Sequence, residues 1–188
     1  MENDCVETEL KIPVPDLGPV REALVRQTAA QTHPMAREVN TLLDTDDGRL
    51  RRSGSLLRLR TYGEQHVVTF KGPVKYVGKI KERPEHEITC HDTERMAQLF
   101  EQLGFSSVAH YEKDRETWRL DEAMIVLDHT PMGDFVEVEG PPEMLDATAA
   151  SLGLDPELAV RGSYLSLWSE YRRRHAEQDL PHDMVFSE

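Results

Sequence analysis

The feature that most constrains this chain is a period-two alternation of apolar and charged residues that returns in segment after segment. In residues 5–12, apolar side chains fall on one face, whereas Glu7, Glu9 and Lys11 fall on the other. Such alternation predicts a β-strand with two chemically different faces. Comparable segments follow at 36–45, 55–63, 65–73, 79–90, 107–119, 122–130 and 134–140.

Helical patterns are fewer and lie between or after these strands. Residues 16–30 and 92–103 have apolar stripes at helical spacing, with Asp16 and Asp92 as N-cap candidates. Residues 141–178 are predicted to be helical with Gly and Pro interruptions, and 179–188 to form a frayed tail. We therefore predict an α+β fold in one domain, 1–178, with an eight-stranded antiparallel sheet. Eight strands suffice to close a barrel around a small ligand.

Charge and cysteine content exclude several classes of protein. The formal net charge is −13, which disfavours general nucleic-acid binding because phosphate contacts need clustered Lys and Arg. No signal peptide, transmembrane helix or other membrane association is predicted. Cys5 and Cys90 belong to no metal-binding spacing and are expected to be reduced, in a cytoplasmic protein. The acidic excess must therefore be explained by where the charges lie.

The charged strand faces have two interpretations. Taken one strand at a time, they are ordinary solvated faces with cross-strand ion pairs. Taken together, they are enriched in Arg and Lys, which bind phosphate, and in carboxylates, which bind Mg²⁺ or Mn²⁺. If the helices cover the apolar strand faces from outside, the charges point into a wet lumen. Such a lumen would suit a metal–polyphosphate complex.

Particular motifs then indicate a family. Glu7-x-Glu9-x-Lys11 resembles the ExExK signature of the CYTH superfamily, also called triphosphate tunnel metalloenzymes. The resemblance runs from about residue 5 to 170 and keeps the order of the family's motifs. It implies an eight-stranded antiparallel β-barrel, the triphosphate tunnel, with covering helices. The later motifs are NTLLDTDDGRL, GSLLRLR, TFKGP, RPEHE, YEKDR, LDHTPMGDFVEVEGP and GSYLSL.

The resemblance also implies roles for individual residues. Among the carboxylates, it favours Glu137 and Glu139 as direct metal ligands, and it leaves Glu85 and Glu87 either as ligands or as groups that orient the bases. The implied metal-side carboxylates are Glu7, Glu9, Asp128, Glu137 and Glu139. The implied phosphate-binding residues are Lys11, Arg58, Arg60, Lys71, Arg83, Lys113 and Arg115. Of these, the implied catalytic residues are Lys11, Arg58, Arg60, Lys113 and Arg115.

Three functions remain open at this point. The first is an Mg²⁺- or Mn²⁺-dependent hydrolase of inorganic tripolyphosphate or of an organic or nucleoside triphosphate. The second is a class IV adenylyl cyclase, and the third is a non-catalytic polyphosphate- or nucleotide-binding module. Leu42 replaces the family's second-strand Tyr, and Arg161 stands where a late Lys is expected, which argues against a thiamine triphosphatase mechanism. The expected partner is a small triphosphate, and the chain is expected to be a monomer or homodimer.

Overall fold

The structure is a computed structural model that describes residues 6–187. Cys5, the first residue of the predicted strand 5–12, lies outside this range. Within it the helices are α1 (Gly18–Arg26), α2 (Arg49–Arg52), α3 (Thr93–Gln102), α4 (Pro142–Ser151) and α5 (Tyr164–Arg174), with a 3₁₀ turn at Pro156–Leu158. The strands are β1 (Val6–Val14), β2 (Ala30–Thr45), β3 (Leu56–Tyr62), β4 (Gln65–Lys71), β5 (Lys75–Val77), β6 (Ile80–Cys90), β7 (Phe105–Leu120), β8 (Ala123–Thr130) and β9 (Gly133–Glu139).

Eight of these strands form a closed antiparallel barrel. The sheet order is β1-β9-β8-β7-β2-β3-β4-β6, and pairing between β1 and β6 closes the ring. The closing register places Val6 opposite Pro84 and Glu9 opposite Lys81. The short β5 extends the sheet from β6. The predicted α+β, eight-stranded barrel is confirmed, and β5 and α2 are additions that the sequence patterns did not predict.

The main apolar core lies outside the barrel, between its strands and two helices. Leu10 and Ile125, from β1 and β8, are buried in one cluster with Leu24 of α1 and Leu145 of α4. Since side chains alternate across a strand, burying these residues outward turns their charged neighbours inward. The inward-facing charges therefore follow from where the helices pack.

The predicted helix bounds hold for α3 and shift for α1. Asp92 caps α3, because its side chain accepts hydrogen bonds from the backbone N–H groups of Glu94 and Arg95. Asp16 was expected to cap α1, but the helix begins at Gly18, and the Asp16 carboxylate accepts from the Gly18 N–H at 3.0 Å instead. The α1 helix also ends before residue 30, because that residue already begins β2.

Pro84 lies within the predicted strand 79–90, where a proline indicates a sheet edge or a bulge, and the structure has a bulge-like irregularity at this position. Its strand pairs with β1 directly through Pro84. On its other side the register pairs Lys71 with Glu85 and Lys75 with Glu82, so the three residues 72–74 face Arg83 and Pro84. The Gly72 N–H donates to the Pro84 carbonyl at 2.8 Å, which keeps the pairing intact there.

The C-terminal segment differs from the predicted frayed tail. Met184 is fully buried, and its strand-like bridge runs parallel to Tyr111 of β7. The Glu112 N–H donates to the Met184 carbonyl at 2.7 Å, and the Trp168 indole N–H donates to the His182 carbonyl at 3.1 Å. Burial of one isolated apolar residue has no periodic signal in the sequence, so pattern analysis could not detect it.

We expect Met184→Ala to lower the free energy of unfolding by about 2–5 kcal/mol, the usual range for truncating a buried Met. In a chain of this size each kcal/mol lowers Tm by about 2–4 °C, which thermal unfolding monitored by circular dichroism would resolve. Ser187→Ala is the control, because Ser187 is exposed in the same segment. Equal Tm values for Met184→Ala and the wild type would mean that the tail frays after all.

Candidate active site

The barrel encloses a cavity of about 340 Å³ whose wall is mainly charged. Twenty-five residues line it, and fifteen of them are acidic or basic. Seven are acids and eight are bases, so the wall is close to electrically balanced although the whole chain carries −13. Net charge therefore describes the outer surface, and the lumen can accept an anion together with a cation.

Strand periodicity explains which side chains reach the cavity. On β7, Lys113, Arg115 and Thr117 line it. The intervening Asp114 is paired with Arg37 outside the cavity wall. Because the side-chain period of a strand is two, a one-residue slip would exchange these two sets.

Three carboxylates from β1 and β9 form the candidate metal site. Oxygens of Glu7, Glu9 and Glu139 all lie within 4.8 Å of one another. Burial raises the pKa of Glu139 to about 8, helped by the nearby Glu7 and Glu137 carboxylates. Burial opposes ionisation of Glu7 as well, but Lys71 and Lys81 lower its pKa to about 2. Crowded hard oxygen donors of this kind suit Mg²⁺ or Mn²⁺, so the residues present fit a divalent cation.

The other two carboxylates implied as metal-side residues are placed differently. Glu137 is buried and accepts hydrogen bonds from Lys11 and, at 2.7 Å, from Arg115. Burial opposes its ionisation, yet these bases hold its pKa well below the usual range. Asp128 is fully buried, does not line the cavity and accepts from Arg115 at 2.6 and 2.7 Å. The structure thus places Asp128 behind the bases, where it orients them, and apart from the acidic cluster.

All seven bases implied as phosphate-binding residues line the cavity, but Arg83 has other partners. Its guanidinium donates to the backbone carbonyls of Gly72 at 2.6 Å and Gly54 at 3.0 Å. This geometry indicates a structural link between loops more than a free phosphate ligand. The other six bases implied by the resemblance, all of which line the cavity, are Lys11, Arg58, Arg60, Lys71, Lys113 and Arg115.

Glu85 and Glu87 lie beside bases rather than in the acidic cluster. Glu87 accepts from Arg60 at 2.8 Å, and Glu85 lies 3.1 Å from the Lys71 ammonium. Burial raises the pKa of Glu85 to about 7 despite the opposing effect of Lys71. Of the two roles left open for these residues, orienting the bases fits this arrangement.

The cavity residues outside the predicted set include Glu38, Lys81 and Tyr164. Glu38 precedes Asn40 at strand spacing, and Lys81 shares a face with Arg83, so period two could have indicated both. Tyr164 comes from helix α5, so strand periodicity could not indicate it, and its only sequence signal was its place in the motif GSYLSL. Its hydroxyl donates to Asp128 at 2.6 Å, and its ring lies below the ammonium groups of Lys11 at 4.0 Å and Lys113 at 4.6 Å.

An apolar cluster covers one end of the cavity. Tyr111 and Tyr164 line the cavity and also belong to a cluster with Phe135, Trp168 and Met184. Leu42, which replaces the family's Tyr, packs against this cluster. Toward the other end, the lining residues Gln65 and Met124 are exposed to solvent. Ser163, the N-cap residue of α5, also lines the cavity and is exposed, so exposed lining residues occur near α5 as well.

Comparison with known proteins agrees with this geometry. Residues 6–149 match the CYTH domain, which is more than half of the chain. This chain belongs to the CYTH family. Tunnel enzymes of this family depend on a divalent metal, and the acidic cluster is consistent with that dependence.

Individual relatives of this CYTH protein carry two kinds of description. A Methanocaldococcus jannaschii protein provisionally named an adenylate cyclase is 29% identical over 86% of this chain and 98% of its own length. A Vibrio parahaemolyticus structure with the same provisional name has a TM-score of 0.79 at 20% identity, over 87% of this chain and 97% of the other. A Hippeastrum protein provisionally named an adenylyl cyclase, and described with a dominant triphosphatase activity, has a TM-score of 0.63 at 17% identity, over 95% and 99%.

Within residues 6–187, no helix combines the length and the apolar character that crossing a bilayer requires.

Proposed function

We propose that this CYTH protein is a divalent-metal-dependent hydrolase of triphosphates, either inorganic tripolyphosphate or an organic or nucleoside triphosphate. The observation that carries the proposal is the placement of carboxylates and bases across one cavity. Glu7, Glu9 and Glu139 lie on the neighbouring strands β1 and β9. Arg58 and Arg60 line the cavity from β3, which lies across the ring in the strand order. A metal on one wall and phosphates held from the other is the arrangement that such a substrate requires.

In the proposed reaction a water oxygen bonds to the terminal phosphorus while the bridging P–O bond breaks. The departing oxygen keeps the bond's electron pair, and the proton that the water loses passes to solvent. Lys113 and Arg115 are held by Asp128, so their charges are in place before the substrate arrives. Preorganised cations stabilise the negative charge that develops on bridging and terminal oxygens. A divalent cation at the acidic cluster would supply Lewis-acid stabilisation of phosphate charge.

The alternative is a class IV adenylyl cyclase, and the name given to the M. jannaschii relative favours it. There the 3′-oxygen of ATP would attack the α-phosphorus and pyrophosphate would leave. Cyclisation of ATP needs a pocket for the adenine ring as well as the phosphate site. Hydrolysis needs no such pocket, and the cavity offers carboxylates for the metal and bases for the phosphates. We therefore rank hydrolysis first.

The test measures phosphate, pyrophosphate and cyclic AMP released from tripolyphosphate and from ATP, each with Mg²⁺, with Mn²⁺ and with EDTA. We expect phosphate release that requires the metal, with cyclic AMP at trace level. Cyclic AMP formed at a rate comparable to phosphate would reverse the ranking. Absence of turnover with every triphosphate and both metals would favour the non-catalytic binding module.

A further inference from the structure

Glu38 is a buried carboxylate in the cavity wall that the proposed mechanism does not use. It lies on β2, is fully buried and lines the cavity. Its Oε1 accepts a hydrogen bond from the Asn40 side-chain amide at 2.9 Å. Its Oε2 has no hydrogen-bond partner among residues 6–187. A buried carboxylate oxygen without such a partner is unusual and calls for an explanation.

Cations surround Glu38 without donating hydrogen bonds to it. The Lys113 ammonium lies 3.4 Å from Oε1, and guanidinium nitrogens of Arg115 and Arg60 lie 3.6 and 4.0 Å from Oε2. Charge-assisted hydrogen bonds are much shorter than this, at about 2.7–2.9 Å. Burial opposes ionisation of Glu38, but these cations hold its pKa far below the usual range. Glu38 is thus an anion that neutralises the bases and leaves their donors free of it.

Asp128, in contrast to Glu38, accepts direct hydrogen bonds from two of the same bases. It accepts from Lys113 at 3.1 Å and from Arg115 at 2.6 and 2.7 Å, and it lies outside the cavity lining. Asp128 therefore fixes where these bases point. Glu38, in contrast, faces the space that an anionic ligand would occupy and adds charge without fixing direction.

We propose that Glu38 is a built-in competitor of the bound phosphates, which offsets the positive charge of the basic wall and limits how tightly triphosphate and its products are held. A phosphate that reaches Lys113 and Arg115 must come close to the Glu38 carboxylate, and like charges repel strongly in a buried site. Weaker binding of the product favours its release, which often limits turnover. The inference rests on the proposed function in one respect, that phosphates are the ligand.

The test compares wild type with Glu38→Gln, which keeps the side-chain shape and an oxygen for Asn40. Calorimetric titration with tripolyphosphate and with pyrophosphate in EDTA measures binding without metal or turnover. We expect Glu38→Gln to bind both anions about tenfold more tightly. Asp128→Asn is the matched carboxylate control, and we expect it to bind them more weakly because the bases lose their orientation. Equal or weaker binding by Glu38→Gln, or no binding by either Glu38→Gln or wild type, would overturn the proposal.

Steady-state kinetics provide a second test, because a purely structural role for Glu38 predicts a change in KM of the opposite sign. With Glu38→Gln we expect KM and the inhibition constant for pyrophosphate to fall, and kcat to fall with them. Glu38→Asp keeps the charge, and we expect its anion affinity to stay within about threefold of wild type. If Glu38→Gln folds poorly, Glu38→Asp is the variant that is measured, and a larger change in its anion affinity would contradict the proposal. A rise in KM for Glu38→Gln would assign Glu38 to orienting the bases. Tighter anion binding without any hydrolysis would instead leave this inference standing and contradict only the hydrolase.

Discussion

Replacing Arg115 with lysine is expected to lower kcat for triphosphate hydrolysis by about 10²–10³, the usual effect of removing one preorganised donor to developing charge. Arg115 is buried between Asp128, Glu137 and Glu38, and two of its nitrogens bind Asp128. Lysine keeps the positive charge that these carboxylates need, so the chain should still fold. The lysine side chain lacks the planar guanidinium that binds a carboxylate through two nitrogens, so the position of its charge is no longer fixed.

Arg37→Lys is the matched control for this experiment. Arg37 also binds a carboxylate through two nitrogens, to Asp114, but on the outer face of the barrel. We expect its steady-state kcat and KM to match wild type. If Arg115→Lys retained wild-type kcat in a folded protein, Arg115 would have no part in stabilising the reaction's charge.

Glu139→Gln is expected to abolish metal-dependent turnover, by more than about 100-fold, and at the same time to stabilise the metal-free protein. The substitution would remove one of the three clustered carboxylates that we propose as metal ligands. The gain in stability has a separate cause: burial, together with the nearby Glu7 and Glu137 carboxylates, disfavours the charge of Glu139. Removing a charge that the fold disfavours raises the free energy of unfolding.

The sign of this stability effect depends on pH. Burial and neighbouring carboxylates raise the pKa of Glu139 from 4.5 to about 8 in the folded protein. The folded state therefore holds a proton that the unfolded state has lost, and wild type loses stability as pH rises from about 4.5 to about 8. Glu139→Gln should match wild type below pH 4.5 and have the higher Tm at pH 8, by about 2–4 °C per kcal/mol recovered.

Thermal unfolding at pH 4 and pH 8, in EDTA and in Mg²⁺, checks this prediction. Mg²⁺ should raise the Tm of wild type at pH 8 and leave Glu139→Gln unchanged, because a ligand that binds the folded state stabilises it. Glu143→Gln, an exposed carboxylate in α4, is the control and should behave as wild type. A Tm for Glu139→Gln below that of wild type at pH 8 would mean that the fold accommodates the charge of Glu139 without a cation.

The strand periodicity predicted most of the cavity wall, because a period of two fixes which face a side chain takes. Glu7, Glu9 and Lys11 were predicted to share a face, and all three line the cavity. It could also be predicted that the barrel turns its charged faces inward, since the apolar stripes of the helices needed an apolar surface to cover. Packing confirmed this through Leu24 and Leu145.

The depth of each inward-facing carboxylate, and the partners that it binds, could not be predicted in the same way. Asp128 and Glu137 both fall on inward faces and both accept hydrogen bonds from bases. Only Glu137 lines the cavity, because Asp128 lies behind the bases. Which of several inward carboxylates gather depends on register between β1 and β9, where Glu9 faces Glu139. No single segment contains that information. The same holds for Met184, whose burial depends on a bridge to Tyr111.

We propose that one tunnel holds a metal at its carboxylates and a triphosphate between that metal and the bases. The most direct measurement is a crystal structure with Mn²⁺ and a non-hydrolysable triphosphate analogue, with anomalous scattering used to locate the metal. We predict an Mn²⁺ peak bounded by Glu7, Glu9 and Glu139, with phosphate oxygens between the metal and Lys113 and Arg115. Metal or phosphates bound outside this cavity would contradict the account.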